Sequence, residues 1–345
     1  MGGIETYSYY LMNFFKDFDN VETIFPTTKK SEKIALRALN MVIFSISTLY
    51  KIFRNKYDVI HITNFNLWII GYIYSFFNKK VKIIINIWGL ELVYKNKIGI
   101  LPKVHKIFVP ISFISKIKNF VFLTCSDSSN LLALKVGFSK TSIRTIPLGV
   151  DKNQILPIRK SIEFQKYFLF AGRIVKRKGL SWFVENILEK FPDYKLIVVG
   201  TIIDEKEFNK IKDNRQVEFL GRVEISQLIK LRQESTCVVI PNILQEKDAD
   251  FEAFAFVTVE SVAHGALVVA SKYQGLEDSL LKGRLGELCL PSDINSWIDT
   301  LNYVVNMDTL EKRKILEKRQ EILYDNFVWD SIFEETYELY NKLFE

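Results

Sequence analysis

Cysteine and histidine are scarce in this 345-residue chain, which contains three of each. The cysteines, Cys125, Cys237 and Cys289, are widely spaced in apolar surroundings and form no CxxC pair. Cysteines and histidines that hold a metal usually occur at short, regular spacings. We therefore interpret the three cysteines as buried thiols in a reducing compartment rather than as metal ligands or catalytic groups. We also expect no cofactor.

Long apolar runs are also lacking, and we expect no cleavable leader. The longest apolar stretches, 67–77 and 107–114, are well short of the roughly 20 residues that span a bilayer. The first residues show no basic segment followed by an apolar core and a cleavage site. The sequence therefore predicts a cytoplasmic protein without a transmembrane helix.

Acidic residues are few in the first part of the chain. Residues 1–150 hold 20 lysines and arginines against 8 acidic residues, although the whole chain carries a net charge of only +7. The cations alternate with apolar residues and include Lys29, Lys30, Lys33, Arg37, Lys51, Arg54, Lys56, Lys95, Lys97, Lys103, Lys106, Lys116 and Lys118. Helices of this composition can lie on the anionic inner surface of a membrane, and a solvated helix face is the other interpretation. No nucleic-acid-binding motif accompanies the charge, so we expect no nucleic-acid partner.

Helical and β-rich segments alternate in two rounds along the chain. The first round has helical patterns at 5–18 and 33–54 and strands at 58–62, 82–87 and 120–125. The second round has strands at 167–171, 195–200, 217–220, 237–240 and 267–271. Such alternation is typical of parallel sheets covered by helices. The sequence thus predicts two doubly wound α/β domains, joined within 149–160 where turn signals and Pro157 occur, with a ligand cleft at the strand ends.

Two cations follow the strand that ends at Ala171. Arg173 and Lys178 lie in the loop Gly172-Arg-Ile-Val-Lys-Arg-Lys-Gly179, just before a helical segment. Arginine offers a planar fork to phosphate oxygens, and lysine offers a compact charge. The pair therefore suits a diphosphate, although an arginine and a lysine in one surface loop are also common without a ligand.

Two carboxylates lie eight positions apart, at Glu252 and Glu260. If a helix begins around Phe254, Glu252 precedes its N-terminus and Glu260 lies about two turns inside it. Carboxylates accept hydrogen bonds from the hydroxyl pairs of a sugar or ribose, and the N–H groups between them can hold phosphate oxygens. The other interpretation is two unrelated acidic residues that cap and solvate one helix.

Taken in order, several short motifs resemble the retaining GT-B glycosyltransferases of glycosyltransferase family 4. They are GGIE at 2–5, DVIH at 58–61, Ser126 after a strand, IPLGVD at 146–151, GRIVKRKG at 172–179, FLGRV at 219–223, PN at 241–242 and the Glu252/Glu260 pair. The resemblance extends to Trp329. It implies a GT-B fold, with an acceptor-binding Rossmann-like domain at 1–150 and a nucleotide-sugar-binding one facing it at 151–326. It also implies a C-terminal helix at 327–345 that packs back on the first domain.

The resemblance further implies metal-independent transfer of a sugar from a nucleoside-diphosphate donor to an acceptor hydroxyl. By position in the motifs, Arg173 and Lys178 would contact the diphosphate, Glu252 the donor sugar and Glu260 the ribose. Arg173, Lys178 and Glu252 are thus the predicted catalytic residues. Predicted donor-binding residues are Glu260, Gly3, Gly172, Arg222, Val223, Phe254, Ala255, Phe256 and Val257, and the predicted acceptor or cleft residues are Glu5, His61 and Trp88.

The sequence departs from the family pattern at three places. Trp88 stands where the family usually has a histidine, and an indole could stack on a sugar and donate one hydrogen bond. Ala253 and Ala255 replace the usual glycines, which matters most if either position needs a positive φ. The GG motif begins at residue 2, without the β-strand that normally precedes it, so we expect the first-domain sheet to lack a strand.

Other conspicuous residues have structural interpretations. His61 ends a strand and is expected to be a hydrogen-bonded core or cleft-edge group rather than a general base. His264 is interpreted as a helix-cap residue, and Trp182 and Phe183 as core.

The function predicted from these features is an enzyme of surface-polysaccharide assembly on the inner membrane face. It would use a nucleotide-sugar donor and a lipid-linked or oligosaccharide acceptor. A non-catalytic scaffold or partner subunit is the alternative from another class, and a soluble enzyme acting on a metabolite or protein is a third.

Overall fold

A computed structural model describes residues 3–25, 34–97, 99–158, 163–244 and 250–344. Among the residues named above, Gly2, Lys29, Lys30 and Lys33 lie outside these ranges. The chain forms two compact units: unit 1 comprises Met1–Pro147 with Asp330–Glu345, and unit 2 comprises Leu148–Trp329. Within the described ranges, no helix has both the length and the apolar character needed to cross a bilayer.

Unit 1 contains a parallel sheet in the order β1-β2-β3-β4. The strands are β1 (Val59–Ile62), β2 (Lys82–Ile87), β3 (Phe120–Thr124) and β4 (Ile143–Thr145). The helices before and between them are α1 (Gly3–Phe15), α2 (Ile34–Asn55), α3 (Trp68–Phe77), α4 (Leu90–Val93), α5 (Ile100–Phe108), α6 (Ile111–Ile114) and α7 (Asp127–Lys135). The central strand β2 reads Lys-Ile-Ile-Ile-Asn-Ile and is buried after its first residue, as expected for a strand covered on both faces.

Unit 2 contains a parallel sheet in the order β10-β9-β8-β5-β6-β7. The strands are β5 (Gln165–Ala171), β6 (Lys195–Val199), β7 (Val217–Gly221), β8 (Ser235–Ile240), β9 (Val268–Ser271) and β10 (Glu287–Cys289). The helices are α8 (Leu180–Asn186), α9 (Glu205–Asn209), α10 (Ile225–Glu234), α11 (Phe256–Ala263), α12 (Gly275–Ser279), α13 (Ile294–Asn306) and α14 (Thr309–Asn326). Strand β5 pairs with both β6 and β8, so the strand order reverses beside it. Ligands of doubly wound sheets bind at such reversals, outside the carboxyl ends of the strands.

The last helix, α15 (Trp329–Phe344), belongs to unit 1 from Asp330 onward. Its aromatic side chains pack on α1: Phe333 lies 5.6 Å from Tyr7 and Tyr337 lies 5.9 Å from Phe15, between ring centroids. Aromatic residues at helical spacing therefore attach the C-terminal helix to the first one.

The strands and helices differ from the sequence prediction mainly at their ends and where they are short. Strands β4 and β10 have three residues each and were not predicted, because such short segments carry too few residues to show a pattern. Helix α11 begins at Phe256 rather than Phe254. The prediction that the three cysteines are buried thiols is confirmed, since all three are buried and free.

Candidate functional site

Charged and polar side chains gather at the carboxyl edge of the unit 2 sheet. Arg177 and Lys178 follow β5, Asn242 and Glu252 follow β8, and Gln274 follows β9. Because the strands are parallel and adjacent, these loops meet at one edge of the sheet. This edge includes the reversal of strand order between β5 and β8, where a ligand site is expected.

Glu252 is the centre of a buried ion-pair cluster at this reversal. Its Oε2 accepts a hydrogen bond from Lys178 Nζ at 2.6 Å and another from the Arg177 guanidinium. Asn242 Nδ2 donates to the same oxygen at 3.3 Å, and Arg177 Nε lies 3.3 Å from Asp250 Oδ2. The side chains of Arg177, Lys178 and Glu252 are only 11–12% exposed, so water screens their charges poorly. Both cations are therefore held by carboxylates inside the protein.

The protonation states of the cluster follow from burial and charge. Burial alone would raise the pKa of Glu252, but the charges of Lys178 and Arg177 and their hydrogen bonds outweigh it and lower the pKa to about 2. Burial lowers the pKa of Lys178, and the Glu252 carboxylate offsets part of that shift. Glu252 is thus ionised at neutral pH and cannot act as a proton donor there.

Tight backbone packing fixes the loops that carry the cluster. Gly179 ends the β5 loop at φ +65°, and a Cβ there would lie 1.9 Å from the Pro241 carbonyl oxygen. On the other side, Glu252 N donates to Gln274 Oε1 at 2.9 Å, and Gly275 N donates to Glu252 O at 2.9 Å. The β5, β8 and β9 loops are therefore positioned by one another.

Gln274 has an unusual backbone conformation for a non-glycine residue, at φ 50° and ψ −141°. Such conformations cost of the order of 1–3 kcal/mol and concentrate at functional sites. Here the strained residue supplies the acceptor for the Glu252 backbone N–H, so the strain accompanies the positioning of the site carboxylate.

Arg173 and Lys178 occupy the same loop but different environments. Lys178 is buried against Glu252, whereas Arg173 is exposed and makes no hydrogen bond or ion pair with any residue that the structure describes. Gly172 anchors the loop through its N–H, which donates to Val199 O at 2.9 Å. A Cβ on Gly200 would lie 1.8 Å from Gly172 O, so the β5 and β6 ends approach closely. The exposed Arg173 is thus available to an incoming anion, as is the exposed Lys176 of the same loop.

Glu260 lies in α11 and is held by a second buried cation. Arg232 Nη2 donates to Glu260 Oε2 at 2.8 Å, and Arg232 Nη1 lies 2.9 Å from His264 Nδ1. Burial and the Arg232 charge lower the pKa of His264 to about 3, so the imidazole is neutral and accepts from Arg232. The Arg232 side chain is 2% exposed while that of Glu260 is 37% exposed, which leaves the carboxylate partly open to solvent. His264 is also the C-cap of α11, as interpreted from the sequence.

The segment before α11 shows that alanine fits where glycine is usual. Ala255 has φ −93° and ψ 93°, and Ala253 is absent from the positive-φ residues of the described ranges. Phe254 is buried, with its ring 5.5 Å from that of Phe327. Phe256 and Val257, both half-buried, form the first turn of α11 and contribute the N–H groups of its N-terminus. The alanines therefore place no strain on the backbone.

The end of β7 carries two of the predicted donor-binding residues, Arg222 and Val223. Arg222 is exposed, and its Nε donates to Thr201 Oγ1 at 2.8 Å. Gly221 has φ +66°, and its carbonyl accepts from Gly200 N at 2.8 Å. Val223 follows, half-buried. These residues lie at the same sheet edge as the ion-pair cluster, beyond β5 and β6.

The remaining predicted residues belong to unit 1. Gly3 and Glu5 are exposed at the start of α1. His61 uses both ring nitrogens, Nδ1 with Tyr340 Oη at 2.5 Å and Nε2 with Asn86 Oδ1. Burial lowers the pKa of His61 to about 4 despite the Asn86 contact, so the ring is neutral. The interpretation of His61 as a hydrogen-bonded group is confirmed.

Trp88 makes hydrogen bonds and a ring contact with other residues of unit 1. Its indole Nε1 donates to Thr63 O at 2.8 Å, its ring lies 5.3 Å from that of Tyr7, and its backbone N donates to Glu91 Oε1 at 2.6 Å. Since an indole has one donor, Trp88 does not offer a hydrogen bond to a sugar in this arrangement, and that part of the sequence interpretation was wrong. Burial raises the pKa of Glu91 to about 7, although backbone N–H groups oppose the shift.

Sequence reasoning missed several residues of the cluster. Arg177 was visible as the middle residue of Lys-Arg-Lys but carried no sign of which cation would be buried. Asp250 lies in the same loop as Glu252 and pairs with Arg177. Gln274 and Arg232 come from the β9 loop and from α10, and tertiary packing brings them to Glu252 and Glu260.

Comparison with known proteins assigns the fold. Residues 151–321, all within unit 2, match the family model for Glycosyl transferases group 1. Sucrose-phosphate synthase from Thermosynechococcus elongatus superposes over 100% of this chain and 94% of its own, with TM-score 0.73 and 17% identity. Anabaena HepE, solved with UDP and glucose, superposes over 98% and 95%, with TM-score 0.70 and 16% identity. The chain therefore has the GT-B fold of glycosyltransferases.

Curated relatives are similar over shorter stretches. An uncharacterized glycosyltransferase of Methanocaldococcus jannaschii is 26% identical over 209 residues, 57% of this chain and 51% of its own. Glycogen synthase of Mycobacterium tuberculosis is 23% identical over 229 residues, 63% and 53%. Lipopolysaccharide 1,2-N-acetylglucosaminetransferase of Salmonella typhimurium is 25% identical over 179 residues, 48% and 45%. The chain thus spans about half the length of the curated relatives it matches.

Proposed function

We propose that this protein transfers a sugar from a nucleoside-diphosphate-sugar donor to an acceptor hydroxyl, with retention of the anomeric configuration. The observation that carries the proposal is the cluster of Arg177, Lys178 and Glu252 at the reversal of strand order. It lies within the residues that match the glycosyltransferase model. A buried pair of cations beside a fixed carboxylate provides partners for a diphosphate and for sugar hydroxyls in one place.

Four charged residues, Arg173, Lys178, Glu252 and Glu260, have roles in binding the donor in this proposal. Arg173, exposed and free of protein partners in the described ranges, binds the diphosphate together with Lys178. Glu252, ionised because its pKa is about 2, accepts hydrogen bonds from donor sugar hydroxyls. Glu260, oriented by Arg232, accepts from the ribose hydroxyls.

The reaction needs no protein nucleophile in this scheme. The bond between the anomeric carbon and the diphosphate breaks, and negative charge grows on the leaving diphosphate. Arg173, Lys178 and the N–H groups at the start of α11 stabilise that charge. The diphosphate oxygen takes the proton of the acceptor hydroxyl as the new glycosidic bond forms on the same face.

The acceptor is proposed to be lipid-linked or an oligosaccharide of a surface polysaccharide, and the protein to act at the cytoplasmic face of the inner membrane. The basic character of residues 1–150 supports this placement. The similarity to a relative named as a lipopolysaccharide glycosyltransferase supports the acceptor class.

A non-catalytic scaffold is the second candidate. It is favoured by one observation: Trp88 replaces the usual histidine and its only side-chain donor is used by Thr63 O.

A transfer assay distinguishes the two candidates. The purified protein is incubated with a panel of nucleotide sugars and lipid extracts, and release of nucleoside diphosphate is measured. Lys178→Met should lower the rate by at least about 100-fold, the loss typical of one transition-state charge contact. Lys176→Met, which removes the same charge from an exposed neighbour in the same loop, should leave the rate near wild type. No release from any donor would favour the scaffold. Equal, measurable rates in the two variants would instead refute the role assigned to Lys178.

A further inference from the structure

Unit 1 exposes an unusual amount of large apolar side chain. Among the described residues, 17 exposed large apolar side chains lie between Leu39 and Phe113, against eight in the whole of unit 2. Single exposed apolar residues are ordinary on a protein surface, but a contiguous group marks an interaction site. The larger number of exposed apolar side chains in unit 1 therefore indicates an interaction site.

The exposed side chains of α2 form a stripe. Their positions are spaced three, four or seven residues apart, which places them on one side of a helix. The stripe consists of Leu39, Val42, Ile43, Ile46, Tyr50 and Phe53. The opposite side of α2 packs on the unit through Ile52, which is buried.

Helix α5 repeats the arrangement over two turns. Its exposed apolar residues are Ile100, Leu101, Val104, Ile107 and Phe108, with Ile100 80% and Ile107 75% exposed. Lys103 and Lys106 are exposed on the same helix. This is the composition of a helix that lies in a membrane interface, with an apolar face bordered by lysines.

Helix α3 joins the two stripes. The ring of Phe77 lies 5.5 Å from that of Phe53 in α2. At its other end, Trp68 Nε1 donates to Phe108 O of α5 at 3.0 Å. Phe76 and Phe77 at the end of α3 are themselves 62% and 71% exposed. The exposed apolar residues of α2, α3 and α5 thus belong to neighbouring helices, and we call them the apolar surface.

The charge around the apolar surface indicates which partner it binds. Residues 33–126 contain 14 lysines and arginines but only two acidic residues, Asp58 and Glu91. Burial raises the pKa of Glu91 to about 7, which weakens even this negative charge at neutral pH. Cations stand beside the apolar side chains: Lys79 Nζ lies 4.6 Å from the Phe76 ring centroid, and Arg54 adjoins Phe53. Apolar side chains surrounded by lysines match a bilayer with anionic headgroups, because the stems enter the apolar layer while the ammonium groups reach the phosphates.

We propose that α2, α3 and α5 dock the protein on an anionic lipid bilayer, with the apolar stripes of α2 and α5 entering the headgroup region. This inference rests on the membrane placement proposed above and names the surface that makes the contact. It is independent of the proposed sugar-transfer chemistry, since none of these residues belongs to the donor site.

The test is vesicle flotation of the full chain without any donor. The vesicles are phosphatidylcholine alone or phosphatidylcholine mixed with phosphatidylglycerol. Wild-type protein should float with the anionic vesicles and bind neutral ones about tenfold or more weakly. Lys103→Gln with Lys106→Gln should weaken binding about tenfold at low salt. Ile107→Ser with Phe108→Ser should abolish the binding that remains at high salt.

Matched control variants distinguish loss of the docking surface from loss of the fold. Ile225→Ser with Leu310→Ser replaces two exposed apolar residues of unit 2, which are 59% and 61% exposed, and should leave flotation unchanged. Thermal melting of every variant should match wild type, because the replaced side chains are exposed. No flotation of wild type with anionic vesicles, or flotation unaffected by the α5 changes, overturns the proposal. A wild-type dimer that Ile107→Ser with Phe108→Ser converts to monomer, without lipid binding, would assign the surface to a second copy instead.

Discussion

Replacing Glu252 by glutamine tests the ion-pair cluster most sharply. Glutamine keeps the size of the side chain but removes the negative charge that Lys178 and Arg177 share. The ordinary pKa of 4.5 falls to about 2 in the protein, which corresponds to about 3 kcal/mol in favour of the charged form. Removing one partner of a buried ion pair typically costs about 3–5 kcal/mol. The two figures agree, and the side chains are only 11–12% exposed, so little is lost to solvent screening.

Thermal melting at neutral pH measures this effect. A loss of about 3–5 kcal/mol should lower the Tm by on the order of 10 °C for a unit of this size. Glu277→Gln is the matched control. Glu277 pairs with Lys272 at 3.9 Å, their side chains are 32% and 52% exposed, and the change should alter stability by less than about 1 kcal/mol. The variant should also gain more stability from added UDP or GDP than wild type, because its two cations lack the carboxylate.

The pH dependence has a definite sign. The folded pKa of Glu252 lies below its unfolded value, so its contribution is complete above about pH 4.5 and disappears as the pH falls toward 2. Wild type and Glu252→Gln should therefore converge in stability over that range. Identical melting of the two proteins at pH 7 would refute the account of the cluster.

Two further predictions concern single positions. Glu91 has a folded pKa of about 7, above its unfolded value, so ionisation costs wild-type stability as pH rises from about 4.5 to 7, by about 3 kcal/mol in total. Glu91→Gln should remove this loss, and melts at pH 5 and pH 8 would show it; a wild-type pH profile parallel to that of the variant contradicts the burial argument. Gly179→Ala should destabilise more than Gly221→Ala by at least about 1 kcal/mol, measured by urea unfolding. Gly179 and Gly221 have nearly the same φ, +65° and +66°, but only a Cβ at Gly179 would clash, at 1.9 Å from Pro241 O. Equal losses of stability in the two variants would show that the backbone relaxes around the new methyl group.

The sequence was sufficient to predict site residues that lie on consecutive strand, loop and helix segments. Arg173 and Lys178 lie in one loop after a strand, and both positions could be predicted because strand, loop and helix follow one another directly. The helix that carries Glu260 was predicted for the same reason, although it begins two residues later than expected. Local pattern therefore indicated Arg173, Lys178 and Glu260 as candidate site residues, but not Arg177, Asp250 or Arg232.

The contacts between those residues were beyond local pattern. Lys178 and Glu252 were predicted as separate ligands of a donor, yet they form an ion pair with each other. Their loops meet because β5 pairs with β8, a strand far from it in the sequence. The partner of Glu260, Arg232, comes from α10, and the indole donor of Trp88 is used by a carbonyl 25 residues away. Each of these contacts depends on tertiary packing, which one sequence does not reveal.

In the proposed donor site, the loops after β5 and β8 and the N-terminus of α11 bind a nucleoside diphosphate. Titration calorimetry with UDP, GDP and ADP, on wild type and on Arg173→Ala and Glu260→Ala, tests it most directly. We expect nucleoside diphosphates of one base family to bind the wild-type protein. Each variant should bind them about tenfold or more weakly, since each loses a charge-assisted hydrogen bond. If no nucleoside diphosphate binds the folded protein, or if both variants bind as tightly as wild type, the assignment of the donor site is contradicted.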